Sequence, residues 1–355
     1  MTILILSDPN FEDEYAHDYR GKLSESLSSA GHLVETLLGG PLFFLKAIPL
    51  WRKADMVFVP NFPSLSRSVL ILHKLFKRKV IVKVVGDYAW ESAIRGGKTF
   101  LLISDFQKSE RPGAVGTLHN LQVKLCKIAS SVIVESEFLA ETVQNWGIER
   151  SKIRVICGGL NFSLPVTSKE EARKKIGIPG ILLVSTGRLV PWRGFRMLIK
   201  IMPQLLGINQ FFRLVIAGSG PDYKVLKSMV NNLGLEKKVY LIDSMKKEEL
   251  ARYLTAADIF ILNTSYEGFP YYVLEAMSAG VPVVTAASCA NTELINQGEN
   301  GFLVKYNDEF NLVEAVKTIW RTPELRDHFV EEGKKTAAGF TLDKTAEETT
   351  KILNS

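Results

Sequence analysis

Asn263-Thr-Ser-Tyr-Glu267-Gly-Phe-Pro-Tyr-Tyr-Val-Leu-Glu275-Ala-Met-Ser-Ala-Gly-Val-Pro-Val-Val-Thr285 decides the reading of this chain. Two glutamates, Glu267 and Glu275, enclose seven residues that include Gly268 and Pro270. The apolar run Ala257 to Leu262 reads as a strand before them, and Val281 to Thr285 reads as a second strand behind. Between the strands the pattern predicts a tight loop holding Glu267, then a helix starting near Pro270. Proline is tolerated at the first helical position because that N–H has no partner in any case. The N–H groups of Tyr271, Tyr272 and Val273 are then expected to face the loop, where the helix dipole favours an anion. Glu275 falls about one turn further in. One carboxylate near an anion-binding helix end, with a second a turn away, suits a ligand carrying both phosphate and hydroxyls.

The match runs on through E-G-F-P, L-E-A-M-x-A-G and V-P-V-V in register. In this the segment resembles the E-x7-E signature of the family-4 retaining glycosyltransferases (glycosyl transferases group 1), whose fold is GT-B. A second stretch, Ser185-Thr-Gly187-Arg188-Leu-Val-Pro-Trp-Arg193-Gly194-Phe, resembles the family's G-R-L-x-x-x-K-G segment, with Arg193 in place of the usual lysine. The resemblance implies that Arg188 and Arg193 hold the donor's pyrophosphate. When a nucleotide sugar breaks its C1–O bond the leaving diphosphate gains negative charge, and two fixed cations stabilise it without moving a proton. Arginine keeps that charge permanently and presents a planar fork.

Ala217-Gly218-Ser219-Gly220-Pro221 resembles the family's G-x-G-P turn, although a tight strand-to-helix turn explains it equally well. It is not a dinucleotide fingerprint, because G-x-G-x-x-G is incomplete. By the same resemblance Glu275 meets the ribose hydroxyls and Glu267 lies beside the transferred sugar. Gly187, Gly218, Gly268, Phe269, Pro270, Tyr271 and Tyr272 surround the donor. Glu293 stands where the family often has an acid, and a surface charge explains it as well.

No D-x-D pair follows a strand and no His/Cys cluster occurs, so metal-independent chemistry is expected, with no cofactor beyond the nucleotide-diphosphate sugar that is the substrate. The family transfers sugar with retention, by same-face attack in which the departing phosphate oxygen helps deprotonate the acceptor. The enzyme then contributes positioning and electrostatics.

The first half resembles the family only in outline. Asn10-Phe-Glu-Asp-Glu-Tyr-Ala-His17-Asp18-Tyr-Arg replaces the family's Gly-Gly loop, and Gly86-Asp87 replaces its His-Asp. Asp87 is retained as a candidate catalytic residue, and His17 is a candidate stand-in for the missing imidazole. Gly158-Gly-Leu-Asn161 degrades the family's N-G-V-D.

Strands and helices alternate along the whole chain, the mark of parallel α/β layers. At 355 residues there is room for two domains. The expectation is an α/β GT-B protein, two Rossmann-like domains facing across a cleft: 1–160 binding the acceptor, 165–340 binding the nucleotide sugar, and a helix at 341–355 packing back on the first. Hydrophobic content of 46% fits a globular protein. Cys126, Cys157 and Cys289, far apart and odd in number, favour a reducing compartment, each as a small buried filler. The start, Met1-Thr-Ile-Leu-Ile-Leu-Ser-Asp8, reads as a buried strand rather than a signal peptide.

The net charge of +6 is unevenly placed. Between Pro41 and Lys83 nine basic residues (Lys46, Arg52, Lys53, Arg67, Lys74, Lys77, Arg78, Lys79 and Lys83) stand against one acid, Asp55, beside a run of Leu, Phe, Ile and Trp. Two readings are open: a surface on anionic lipid headgroups at 41–83, or a core-packing helix with a solvated basic face. Nucleic-acid binding finds no supporting pattern.

The function expected is hexosyltransferase-like: a retaining transfer from a nucleotide-diphosphate sugar to a sugar or lipid-linked acceptor. The resemblance implies cell-envelope or surface polysaccharide and glycolipid synthesis, in the cytoplasm or on the inner face of the membrane. The alternatives are a non-catalytic nucleotide-sugar binder and a GT-B nucleotide-sugar epimerase.

Overall fold

The computed structural model describes residues 1–8, 14–162, 164 and 167–354. Two compact units divide the chain: Met1–Asn161 with Thr341–Ser355, and Phe162–Phe340.

In the first unit six strands, β1 (Thr2–Ser7), β2 (Leu33–Leu38), β3 (Met56–Val59), β4 (Lys79–Val84), β5 (Ser131–Val134) and β6 (Ile153–Val155), form a parallel sheet in the order β2-β1-β3-β4-β5-β6. Its helices are α1 (Glu14–Ser29), α2 (Phe43–Lys53), α3 (Ser66–Phe76), α4 (Tyr88–Arg95), α5 (Ile103–Phe106), α6 (Gly113–Ile128) and α7 (Glu137–Asn145). The helix Leu342–Asn354 also belongs to this unit and packs on α1. The strands are near-continuous Val, Ile and Leu because both sheet faces are covered.

The second unit begins with α8 (Lys169–Ile176) and β7 (Ile181–Thr186), then runs α9 (Phe195–Ile208), β8 (Phe212–Ala217), α10 (Tyr223–Asn232) and β9 (Val239–Ile242). It continues through α11 (Lys247–Ala256), β10 (Ile259–Leu262), α12 (Tyr271–Ser278), β11 (Val283–Ala286), α13 (Asn291–Leu294), β12 (Phe302–Val304), α14 (Glu309–Arg321) and α15 (Pro323–Ala338). Closing the chain, the helix Leu342–Asn354 is α16. This sheet is also parallel, in the order β12-β11-β10-β7-β8-β9. Counted within the unit the order is 6-5-4-1-2-3, so it reverses between β7 and β10. In open α/β sheets ligands bind outside the carboxyl ends of the strands at such a reversal.

Local sequence explains several boundaries. Ser168 and Glu171 form a reciprocal capping box at the start of α8, and Gly177 ends that helix in the left-handed region. Ser136 caps α7 through the Leu139 N–H at 3.1 Å.

Other expectations are corrected. Lys83 is not part of any basic surface: it is 2% exposed and paired at 2.8 Å with Glu135, also 2% exposed. The Tyr19 ring lies 3.9 Å from its ammonium. Burial by itself pushes the Lys83 ammonium down, but Glu135 and the two tyrosines Tyr15 and Tyr19 outweigh it and hold the group well above its usual range. Cys157 is exposed rather than a buried filler. Cys126 is buried, which raises its thiol to about 12. His17 and Asp18 lie on α1 rather than in a loop, since the helix starts at Glu14; residues 10–13 of that segment lie outside the described residues. His17 Nδ1 sits 3.2 Å from Arg20 Nη2.

Lys83→Ala removes the cation paired with a carboxylate that is 2% exposed, and is expected to cost about 3–5 kcal/mol. The double change Lys83→Met with Glu135→Leu removes both charges and should recover most of that loss. Thermal unfolding followed by circular dichroism checks the pair. Equal melting temperatures for parent and Lys83→Ala would rule out the assigned role.

Candidate functional site

Both diagnostic segments leave the second sheet at the β7/β10 reversal. After β7 the chain turns through Gly187 and Arg188 and makes a single 3-10 turn at Pro191–Arg193 before α9. Gly194 takes φ +67°, and a Cβ there would fall 1.8 Å from the Asn263 carbonyl oxygen, so only glycine lets the two segments meet. After β10 the loop 263–270 is wholly buried and anchored on both sides. The Ser265 N–H donates to the Trp192 carbonyl at 2.8 Å, and the Ser288 hydroxyl donates to the Thr264 carbonyl at 2.6 Å. The Ala290 N–H reaches the Glu267 carbonyl at 3.3 Å. Glu267 is therefore presented by a fixed backbone.

Here the guanidinium of Arg193 donates through Nη1 to Glu267 Oε1, with side-chain exposures of 16% and 6%. Arg193 also lies over the Tyr272 ring, 5.5 Å from its centroid. Beside the pair opens a cavity of about 220 Å³ lined by Thr186, Gly187, Arg188, Ala217, Gly218, Ser219, Ser244, Met245, Leu250 and Tyr272. Gly218 holds the wall closed: a Cβ on it would stand 2.0 Å from the Gly187 carbonyl oxygen. Arg188 is exposed at the rim, and its guanidinium has no ion-pair partner among the described residues. An exposed cation, backbone approached closely through glycines and an aromatic wall together form a place for an anion.

The structure thus brings Gly187, Arg188, Gly218 and Tyr272 to one cavity and joins Arg193 to Glu267 at its side. Gly268, Phe269 and Pro270 are buried in the loop and do not line the cavity. Phe269 packs against Tyr271, ring centroids 4.9 Å apart. Glu275 is half-buried on α12, away from the lining. Glu293 is exposed on α13.

The helix end differs from expectation. Pro270 is the cap residue of α12, one place before its first turn, with φ −87° and ψ 62°. The Tyr271 N–H donates to the Phe269 carbonyl at 3.0 Å and the Val273 N–H to the Pro270 carbonyl at 3.1 Å. Those two donors are consequently engaged rather than open to a ligand.

Asp87 lies in the first unit as the cap of α4, fully buried. Its Oδ1 accepts from the Ala89 and Trp90 N–H groups at 3.0 Å each, and its Oδ2 accepts from Gln107 Nε2 at 2.6 Å. This is the coordination of a structural cap. Among the described residues no three His, Cys, Asp or Glu side chains gather as a metal site. Sequence reasoning missed Ser244, Met245 and Leu250, which follow β9; the signal was their place beyond the carboxyl end of a strand.

Comparison with known proteins fits this arrangement. Residues 168–336 match the family described as glycosyl transferases group 1. The matched stretch spans nearly all of the second unit. An uncharacterised glycosyltransferase of Methanocaldococcus jannaschii is 28% identical over 244 residues, 66% of this chain and 62% of the relative. The lipopolysaccharide core biosynthesis glycosyltransferase LpsE of Rhizobium meliloti is 28% identical over 210 residues, 59% of each. The chain therefore spans about three-fifths of the length of these relatives. Among solved structures, Anabaena HepE in complex with UDP aligns over 100% of both chains with a TM-score of 0.78 at 19% identity. That likeness shows the fold: the chain is GT-B.

Removing the Arg193 side chain strands a carboxylate that is 6% exposed. Arg193→Ala is expected to cost about 3 kcal/mol, a fall in melting temperature of roughly 6–12 °C for a unit of this size. Differential scanning calorimetry of the ligand-free protein measures it, and a shift within error would show that the pair contributes nothing.

Proposed function

We propose that the protein is a retaining, hexosyltransferase-like enzyme of the family-4 type. It moves a sugar from a nucleotide-diphosphate sugar to a hydroxyl acceptor in cell-envelope or surface polysaccharide and glycolipid synthesis. One observation carries the reading: Arg193 and Glu267, from the two diagnostic segments, meet at the strand reversal beside a cavity rimmed by Arg188. A space of about 220 Å³ suits a diphosphate rather than a whole nucleotide sugar. The base, ribose and sugar then extend beyond it, the ribose toward Glu275.

In this mechanism the C1–O bond of the donor breaks and its electron pair passes to the diphosphate. Arg188 and Arg193 take up that charge, the task a divalent ion performs in other enzymes. Arg193 exchanges part of its contact with Glu267 for the arriving phosphate. Glu267 is then released toward the sugar, so the pair keeps both groups in place until the donor arrives. The acceptor hydroxyl attacks C1 from the face the diphosphate leaves, and the departing oxygen receives the hydroxyl proton, which retains the configuration. The first unit is assigned to the acceptor, a sugar or a lipid-linked sugar. HepE was solved with UDP and with UDP-glucose, which supports a uridine donor as the first to test. LpsE supports the envelope setting. The three lone cysteines support a reducing, cytoplasmic site of action.

Arg188→Ala removes one charge-assisted contact and should weaken UDP binding roughly tenfold or more in titration calorimetry. Glu267→Gln should stop sugar transfer while UDP affinity stays within about threefold of the parent. Unaltered UDP affinity in the first variant would remove the phosphate site. A protein that binds nucleotide sugars and never turns them over, with any acceptor offered, would instead be a non-catalytic binder.

A further inference from the structure

The face formed by α2 and α3 in the first unit carries an inference independent of sugar transfer. The two helices pack side by side, and α2 also packs on β1 and β2. Phe43, Ala47 and Trp51 of α2 point into the core, as do Val69 and Leu72 of α3. A helix that only covers a core should turn polar side chains to water on its far side. These do not. Leu42 is 65% exposed, Leu45 61%, Ile71 50% and Leu75 61%. Lys46, Arg52 and Lys53 of α2 and Arg67 and Lys74 of α3 are exposed among them.

Leu42 is held in the left-handed region at φ 64°, which costs a non-glycine residue free energy and projects the side chain outward at the start of α2. Asp55 is the one acid between residues 41 and 83. Cations interleaved with exposed aliphatic side chains complement a surface that is anionic outside and apolar beneath. They do not fit a protein partner recognised by hydrogen bonds or a nucleic acid read by stacked bases.

We propose that the α2–α3 face docks on a membrane containing anionic lipid, with Leu42, Leu45, Ile71 and Leu75 entering the headgroup boundary and the cations on phosphates. The contact is peripheral, for no helix among the described residues is long and apolar enough to cross a membrane. A docked enzyme keeps its first unit at the bilayer, where an acceptor carried on a lipid is concentrated in two dimensions.

Flotation of the full chain with phosphatidylcholine vesicles, with or without about one-third phosphatidylglycerol, tests the proposal. The parent should float with the anionic vesicles at low salt, and high salt should release most of it. Lys46→Gln with Lys53→Gln and Lys74→Gln should lower the partition on the order of a hundredfold, at about fivefold per cation. Leu42→Ser with Leu45→Ser should lower it without changing the salt dependence. All these positions are exposed, so circular dichroism and UDP calorimetry should match the parent. No flotation, equal binding to neutral vesicles, or variants that float like the parent would overturn the proposal. Vesicle binding needs no sugar donor, so its failure leaves the transfer reading intact, and loss of UDP binding leaves this one intact.

Discussion

A guanidinium and a carboxylate closed together where the strand order of the second sheet reverses set the terms for everything around them. Arg193 reaches Glu267 only because Gly194 lets the loop after β7 lie against the Asn263 carbonyl, and because the loop 263–270 is pinned by Trp192, Ser288 and Ala290. A buried pair of this kind adds little net stability by itself, since desolvation offsets most of the attraction. On the proposed reading its value lies in keeping two charged groups fixed beside a cavity, ready for a ligand that carries opposite charge to one of them. Preorganisation of this sort is what electrostatic catalysis requires.

How far that site could be read beforehand depended on how local the signal was. Glu267 through Val284 read well because strand, loop, helix and strand each announced themselves in one register: β10 as Ile259–Leu262, α12 in the following turn, β11 as Val283–Ala286. Arg193 meeting Glu267 was not legible. Residues 74 apart in sequence touch through backbone packing that no spacing shows. The start of α12 was misread by one place because proline fits both the cap and the first turn, and only the Tyr271-to-Phe269 bond distinguishes them. Asp87 was open to two readings for a related reason: an aspartate after a strand and before a helix is a cap as readily as a reagent, and in the structure it accepts from Ala89, Trp90 and Gln107.

Edge and surface elements were the harder part. β2 was not anticipated, and it is the sheet's edge, with Leu33 and Leu38 left exposed, so no clean alternation or buried run marks it. α8, with four basic and two acidic residues over eight positions, offers almost no apolar stripe, and its capping box is its one strong signal. Of the two readings of the Pro41–Lys83 segment, core packing is seen in the structure and lipid contact is a proposal. α2 does pack a core face, while its outer face keeps aliphatic side chains that core packing leaves unexplained.

Two mostly buried ion pairs, one in each unit, show why chemistry alone does not label a site. Lys83 with Glu135 and Arg193 with Glu267 both sit near the carboxyl ends of parallel strands, and both cations lie against tyrosine rings. The first is closed: both partners are 2% exposed, and Tyr19, hydrogen-bonded to Thr349 at 2.9 Å, lies over the ammonium beneath α16. A ligand would have to displace a helix to reach it, so the pair can only fasten α1 and α16 to the sheet. The second has an arginine that is 16% exposed, a cavity at its side and, at the cavity rim, an arginine with no ion-pair partner among the described residues. Access, not composition, separates a pair that holds a fold together from the one proposed to trade partners with an incoming phosphate.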